Sequence, residues 1–160
     1  RGLVGHFNGP IQSNKPRDNA AHFDGVHTVD RAKVARRLNE QRPDHLPPLN
    51  VCIQVNVDDE ASKSGVALDQ VAALAAAFAD WPRLRLRGLM AIPRADSDDG
   101  NRAAFQALAM TLSQLRNTMP ALDTLSMGMS ADYTVAIEEG ATLVRLGTAL
   151  FGPRPPKDTR

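Results

Sequence analysis

Short apolar runs recur along the chain at residues 3–7, 26–29, 51–57, 86–92, 124–129 and 142–146. Most are rich in Val, Ile, Leu or Met and end in polar residues or Gly, the pattern of strands buried in a parallel sheet. Between them the spacing turns helical. Residues 30–42 open with Asp30, an N-cap type, and stop before Pro43, whose ring disfavours a helical residue ahead of it. Residues 68–79 are rich in Ala and Leu and end at Trp81-Pro82. Residues 101–119 are amphipathic and end at Pro120, and residues 132–139 are stopped by Gly140.

This strand–helix alternation predicts an α/β fold, a parallel sheet with helices outside it. A closed (β/α) barrel of TIM type uses roughly 250 residues, about 30 per unit. Six runs in 160 residues therefore predict a partial barrel of about six β/α units. The rival is an open doubly wound sheet, which usually carries a Gly-rich turn after its first strand. Gly5-His6-Phe7-Asn8-Gly9-Pro10 has the wrong spacing for that turn and no Gly follows it. The reading is one domain over residues 1–152 and a C-terminal tail over residues 153–160, frayed by its prolines.

Composition narrows the function classes. A net charge of +1, scattered arginines and 4% aromatic residues argue against nucleic acid as a partner. No apolar run is long enough to span a bilayer, and the N-terminus has no signal-peptide pattern. The lone cysteine, Cys52, precludes an internal disulfide and suits a reducing, cytoplasmic setting. The chain starts at Arg1 without an initiator Met and enters a strand-like run at once, which leads us to expect an N-terminally truncated chain.

The strongest local signal is Ser126-Met127-Gly128-Met129-Ser130-Ala131-Asp132, a strand running into a small-residue turn where a helix starts. Ser130 is there either as an N-cap or as a hydroxyl beside free N–H groups, an anion site. Arg145-Leu146-Gly147-Thr148 ends the last run, and the short segment 149–152 follows. Barrel proteins often bind phosphate with the loops after their last two strands and a short extra helix. On that reading Ser130, Gly147 and Thr148 converge on one phosphate. Arg145 stands inside an apolar run, where a guanidinium is costly unless its donors are satisfied. It is either a structural ion pair or snorkelling side chain, or a donor to a ligand in the barrel mouth.

Two polar clusters, residues 6–15 and Ser62-Lys63-Ser64-Gly65, read as donor-rich loops or as plain solvated ones. His22 and His27 lack a metal-ligand spacing with Cys52, so no metal site is expected. His6 and His27 read as core or cleft histidines, Cys52 as an inert buried thiol, and Asp58-Asp59-Glu60 and residues 96–99 as solvated loop charges. No catalytic residue is assigned.

Taken in order, the motifs resemble one family. His6-Phe7-Asn8-Gly9-Pro10-Ile11-Gln12-Ser13-Asn14-Lys15 resembles its HFIGPLQSNK segment, with Asn8 in place of the usual Ile. Val26-His27-Thr28-Val29-Asp30-Arg31 resembles its next strand-to-helix turn. Residues 50–56 with Ser62-Lys63-Ser64-Gly65, then Arg87-Gly88-Leu89-Met90-Ala91-Ile92-Pro93, Leu125-Ser126-Met127-Gly128-Met129-Ser130, and Val144-Arg145-Leu146-Gly147-Thr148 with Phe151-Gly152 follow in the family's order. Over nearly its whole length the chain resembles pyridoxal phosphate homeostasis proteins of the YggS/PROSC type.

The resemblance implies a single-domain barrel like the N-terminal domain of alanine racemase. It implies binding of pyridoxal 5'-phosphate or related B6 vitamers, in a carrier or regulator without established turnover. It places the phosphate on Ser130, Gly147 and Thr148 and turns Arg145 to the pyridine nitrogen. The family holds its cofactor through a lysine at the end of the first strand. The match begins at the family's third strand, so that lysine is expected to be absent. Lys15, Lys33, Lys63 and Lys157 are the lysines here, and none is expected at a strand end. The rival readings are a racemase-like enzyme, a sugar-phosphate barrel enzyme and a fragment without function.

Overall fold

A computed structural model describes residues 3–11, 16–61 and 63–153. Lys15, Ser62, Lys157 and most of the expected tail lie outside the described residues. The elements run β1 (His6–Phe7), α1 (Pro16–His22), β2 (Gly25–Val29), α2 (Ala32–Gln41), β3 (Leu49–Asn56), β4 (Val66–Ala67), α3 (Val71–Ala77), β5 (Leu84–Met90), α4 (Arg102–Arg116), β6 (Thr124–Met129), α5 (Tyr133–Glu138), β7 (Leu143–Arg145) and α6 (Thr148–Phe151). Every strand pairing is parallel, in the order β1-β2-β3-β5-β6-β7, with the two-residue β4 added beside β3. Each of the apolar runs read from sequence overlaps one strand of this path.

The sheet has two chemically different faces. On β3, Leu49, Val51, Ile53 and Val55 are at most 2% exposed and join the apolar core. That core also takes in Val34, Ala35 and Leu38 of α2, Leu74 of α3, and Phe105, Leu108 and Leu112 of α4. The alternate residues Asn50 and Cys52 turn to the opposite face and border a hollow with His6, His27 and Arg87. Period-two alternation thus separates a helix-covered apolar layer from a polar inner face.

One contact shows that the sheet curls. β2 and β6 are three steps apart in the strand order, roughly 14 Å in a flat sheet at about 4.8 Å per step. Yet His27 of β2 and Ser126 of β6 meet at 2.9 Å. Side chains bridge that gap only when the strands wrap around them, as in a partial (β/α) barrel. Gly88 lets β5 and β6 close up: a Cβ built there lies 1.8 Å from the Thr124 carbonyl oxygen.

The structure departs from the sequence reading at element ends. Helix α2 starts at Ala32 with Arg31 as its N-cap, and no side chain caps it. Asp30, expected as that cap, instead accepts the Gly65 N–H at 3.2 Å, tying the ends of β2 and β4 together. Leu3 and Val4 are exposed and precede the strand, which begins at His6. Helix α1, absent from the sequence reading, is held by a residue on the far side of α2. The buried Arg42 guanidinium donates to the Ala20 and Phe23 carbonyls at 2.7 and 2.8 Å and to Pro47 at 2.9 Å.

Replacing Gly88 with Ala should cost at least about 3 kcal/mol, because the new methyl meets strand backbone that has no freedom to retreat. Gly147 has nothing within 4 Å of a built Cβ, so Gly147→Ala should stay within about 0.5 kcal/mol. Thermal or urea unfolding followed by circular dichroism checks both, and equal midpoints for the two variants would contradict the packing described.

Candidate functional site

The inner face carries a chain of hydrogen bonds that crosses the sheet. His6 Nδ1 and His27 Nε2 are 2.7 Å apart, and His27 Nδ1 lies 2.9 Å from Ser126 Oγ. The Arg145 guanidinium closes the series, its Nη1 donating to Ser126 Oγ at 2.6 Å and its Nη2 to the Ala91 carbonyl at 2.8 Å. The four side chains come from β1, β2, β6 and β7. The sequence offered Arg145 as a candidate ligand donor and His6 and His27 as core or cleft histidines, while Ser126 was legible only as a polar residue in an apolar run. Arg145 is therefore held by two neutral acceptors, and neither an ion pair nor snorkelling describes it. A guanidinium has five N–H groups, and these bonds engage two of them.

Burial shapes the electrostatics here. The His27 imidazole is pulled down to about 4, chiefly by loss of solvent and then by the neighbouring His6 and Arg145. The Arg145 pKa is lowered by burial, with Asp132 and Cys52 opposing. The Cys52 thiol is pushed up to about 12 by burial, which keeps it protonated, as expected of an inert thiol.

Ser130 sits at the rim above this chain. Its turn is set by Gly128, whose φ of +96° belongs to the left-handed region. A Cβ there would also approach Ala136 of α5 to 2.6 Å. Asp132 braces the turn from beyond, accepting the Met129 N–H and the Asn101 Nδ2–H, both at 2.8 Å. The N-cap of α5 is Asp132, so Ser130 does not cap that helix. Instead its Oγ accepts the Gly147 N–H at 3.3 Å and the Ala149 N–H at 3.0 Å. Two backbone donors thus converge on one oxygen, and the hydroxyl hydrogen stays free to donate. Thr148 stands exposed beside them at the start of α6. The structure brings Ser130 and Gly147 together with Thr148 adjoining, and it sets Arg145 deeper, one strand pairing from Met129.

The loop charges behave differently from the sequence reading. Asp58 is only 9% exposed at its side chain. It accepts the Arg94 N–H at 2.8 Å and pairs with Lys63 at 3.6 Å. Lys63 Nζ, 3.5 Å from Glu60 as well, is buried between the two carboxylates, so it is not a solvated loop amine. Lys33 is exposed on α2. Neither described lysine reaches the inner face at a strand end. Among the described residues, no cluster of His, Cys, Asp and Glu could hold a metal ion, and no helix is long and apolar enough to cross a membrane.

A sequence profile described as the N-terminal domain of alanine racemase matches residues 6–155. The chain belongs to this family. The pyridoxal phosphate homeostasis protein of Escherichia coli K12 is 54% identical over 154 residues, which cover 96% of this chain and 66% of that protein. The protein of the same name from Pseudomonas aeruginosa is 60% identical over 150 residues, 93% of this chain and 64% of the relative. The chain thus spans a little under two thirds of the length of these curated relatives. Among solved structures, PipY of Synechococcus elongatus PCC7942, determined with PLP bound, superposes with a TM-score of 0.84 at 33% identity. That superposition covers 94% of this chain and 71% of PipY. In this member of the alanine racemase N-terminal domain family, Arg145 and the Ser130 rim lie together at the C-terminal ends of β7 and β6.

The His27 environment has a consequence for stability. Its folded-state value of about 4 lies below the ordinary 6.5, so the unfolded chain takes up a proton that the folded chain refuses. The contribution is intact above pH 6.5 and is lost as the pH falls from 6.5 towards 4, by about 3 kcal/mol in all. Asp99 and Asp123, whose pKa values are lowered by hydrogen bonds, act in a window below that. Unfolding free energies at several pH values should fall more steeply between pH 6.5 and 4 for the unsubstituted chain than for His27→Asn. Parallel curves would contradict the burial of a neutral imidazole.

Proposed function

We propose that this chain binds pyridoxal 5'-phosphate at the rim and inner face of its sheet and serves in intracellular cofactor homeostasis, in the cytoplasm, as a binding protein. The observation that carries this reading is the convergence of the Gly147 and Ala149 N–H groups on Ser130 Oγ. That geometry suits an oxygen with lone pairs to offer, and the Ser130 and Thr148 hydroxyls add donors beside it. A phosphate is such a group. The carboxylate nearest the turn, Asp132, is engaged with Met129 and Asn101, so it does not compete with an anion there. The names of the relatives, and the PLP bound to PipY, support the choice of this phosphate ester over a sugar phosphate.

Bound there, the cofactor would supply an aldehyde and an electron-withdrawing ring. Ser130, Gly147 and Thr148 would hold its phosphate, and Arg145 would meet its ring nitrogen. Arginine donates a hydrogen bond without giving up its proton. The nitrogen then stays unprotonated, and an unprotonated ring is a weak electron sink. This favours holding the cofactor over transforming amino acids with it. The amine expected to meet the aldehyde has no candidate among the described lysines, so binding by this chain alone would rest on the phosphate and ring contacts.

Titration with pyridoxal 5'-phosphate, followed by absorbance, tests the reading. Ser130→Ala should weaken binding by about 1–3 kcal/mol, and Gly147→Ala should weaken it while leaving the unfolding midpoint in place. No binding, or equal affinity for Ser130→Ala and the unsubstituted chain, would place the ligand elsewhere.

A further inference from the structure

We propose that Ser126, His27 and His6 are positioning residues that fix the direction of every hydrogen bond leading to Arg145, so that Arg145 meets the ligand's ring nitrogen in one fixed orientation. The proposal rests on the cofactor reading above and extends it to residues that touch no ligand.

The order follows from one rule: an arginine donates and never accepts. Arg145 Nη1–H therefore fills a lone pair of Ser126 Oγ. The Ser126 hydroxyl hydrogen then needs an acceptor, and His27 Nδ1 stands at 2.9 Å. His27 is thereby the neutral form carrying its hydrogen on Nε2. That hydrogen points to His6 Nδ1 at 2.7 Å, which in turn is unprotonated. One hydroxyl direction and two imidazole tautomers are settled from one end of the chain.

The reverse order is poor. With the hydrogen on His27 Nδ1, Ser126 would accept from both neighbours and its own hydrogen would lose the His27 acceptor. Ser126 is 0% exposed and His27 2%, so water is not at hand to take that hydrogen, and an unmade bond to a buried donor is costly. Burial, then the neighbouring His6 and Arg145, lower the basicity of His27 and so keep the imidazole neutral.

Among the described residues, the charged and titratable groups around this series of bonds are few. His27 is faced by His6 from β1 and Arg145 from β7. Arg145 is faced by Asp132, ahead of α5, and by the protonated Cys52 of β3, which Arg87 of β5 approaches in turn. None of them offers Ser126 a substitute acceptor among the hydrogen bonds described. A second proton on His27 sets its Nδ1–H against the Ser126 hydroxyl hydrogen, so the ordered state should fail in acid.

The test uses the full chain and two probes that need no lysine. One is pyridoxine 5'-phosphate, and the other is its counterpart with CH in place of the ring nitrogen. At pH 8 the unsubstituted chain should favour the first by about tenfold, the value of one good hydrogen bond to a charged donor. Ser126→Ala and His27→Phe should lose that preference and keep their affinity for the second probe. His27→Asn places an acceptor oxygen near the Nδ1 position and should restore the preference. In parallel, nitrogen-15 shifts of the imidazoles should show His27 with its hydrogen on Nε2. Hydrogen on Nδ1, or an unchanged preference in both disabling variants, overturns the ordered chain alone. No binding of either probe by the unsubstituted chain overturns the cofactor reading and this use of Arg145 together, whatever the imidazole shifts show.

Discussion

A guanidinium on the inner face of a parallel sheet constrains everything near it. Arg145 lies on the short strand β7, and burial lowers its pKa without removing its charge. It has to be given acceptors, and these come from Ser126 on β6 and from Ala91 just beyond β5. Meeting them requires β5, β6 and β7 at close register, which Gly88 permits by its missing side chain. Ser126 in turn has a hydroxyl hydrogen to place, and His27 and His6 receive the consequence one and two strands beyond β3. The curl of the sheet and the satisfaction of one cation are thus the same geometric fact.

The strands were legible because each is a compact apolar run bounded by turn residues, and burial on the helix side demands that pattern. The helices between them were legible from Ala- and Leu-rich periodicity, as at Phe105, Leu108 and Leu112. Their ends were less so. Asp30 looked like a cap, but a carboxylate also satisfies a distant loop N–H, and tertiary contact with Gly65 prevailed. Helix α1 has only a weak apolar stripe, and its stability comes from Arg42, a residue 22 positions from the carbonyl at Ala20. Nothing local in residues 16–22 records that partner.

The site divides in the same way. Ser130 and Gly147 were readable as a pair because they follow the last two strands of a repeating unit, where backbone donors collect. Arg145 was readable as an anomaly, a cation in an apolar run. Its partners were not, because hydrogen bonds between β2 and β6 depend on curvature that no single segment encodes. His27, Ser126 and Arg145 do share one cue: each is polar at the middle or end of an otherwise apolar strand, and three such residues, on β2, β6 and β7, mark an inner polar face. Lys63 offered the opposite lesson. Its loop setting suggested a free amine, while Asp58 and Glu60 fold back to enclose it.

The phosphate end and the ring end of the site make separate demands, and the central claim is that one ligand meets both. A crystal structure of this chain with pyridoxal 5'-phosphate is the most direct test. The account predicts the phosphate against the Ser130 hydroxyl and the backbone at Gly147 and Thr148, with the ring nitrogen turned to Arg145. A larger hollow, about 300 Å³, lies between the loops that carry Asp58 and Arg94 and the start of α4. Finding the phosphate there, beside Arg94, with the Ser130 rim unchanged, would contradict it.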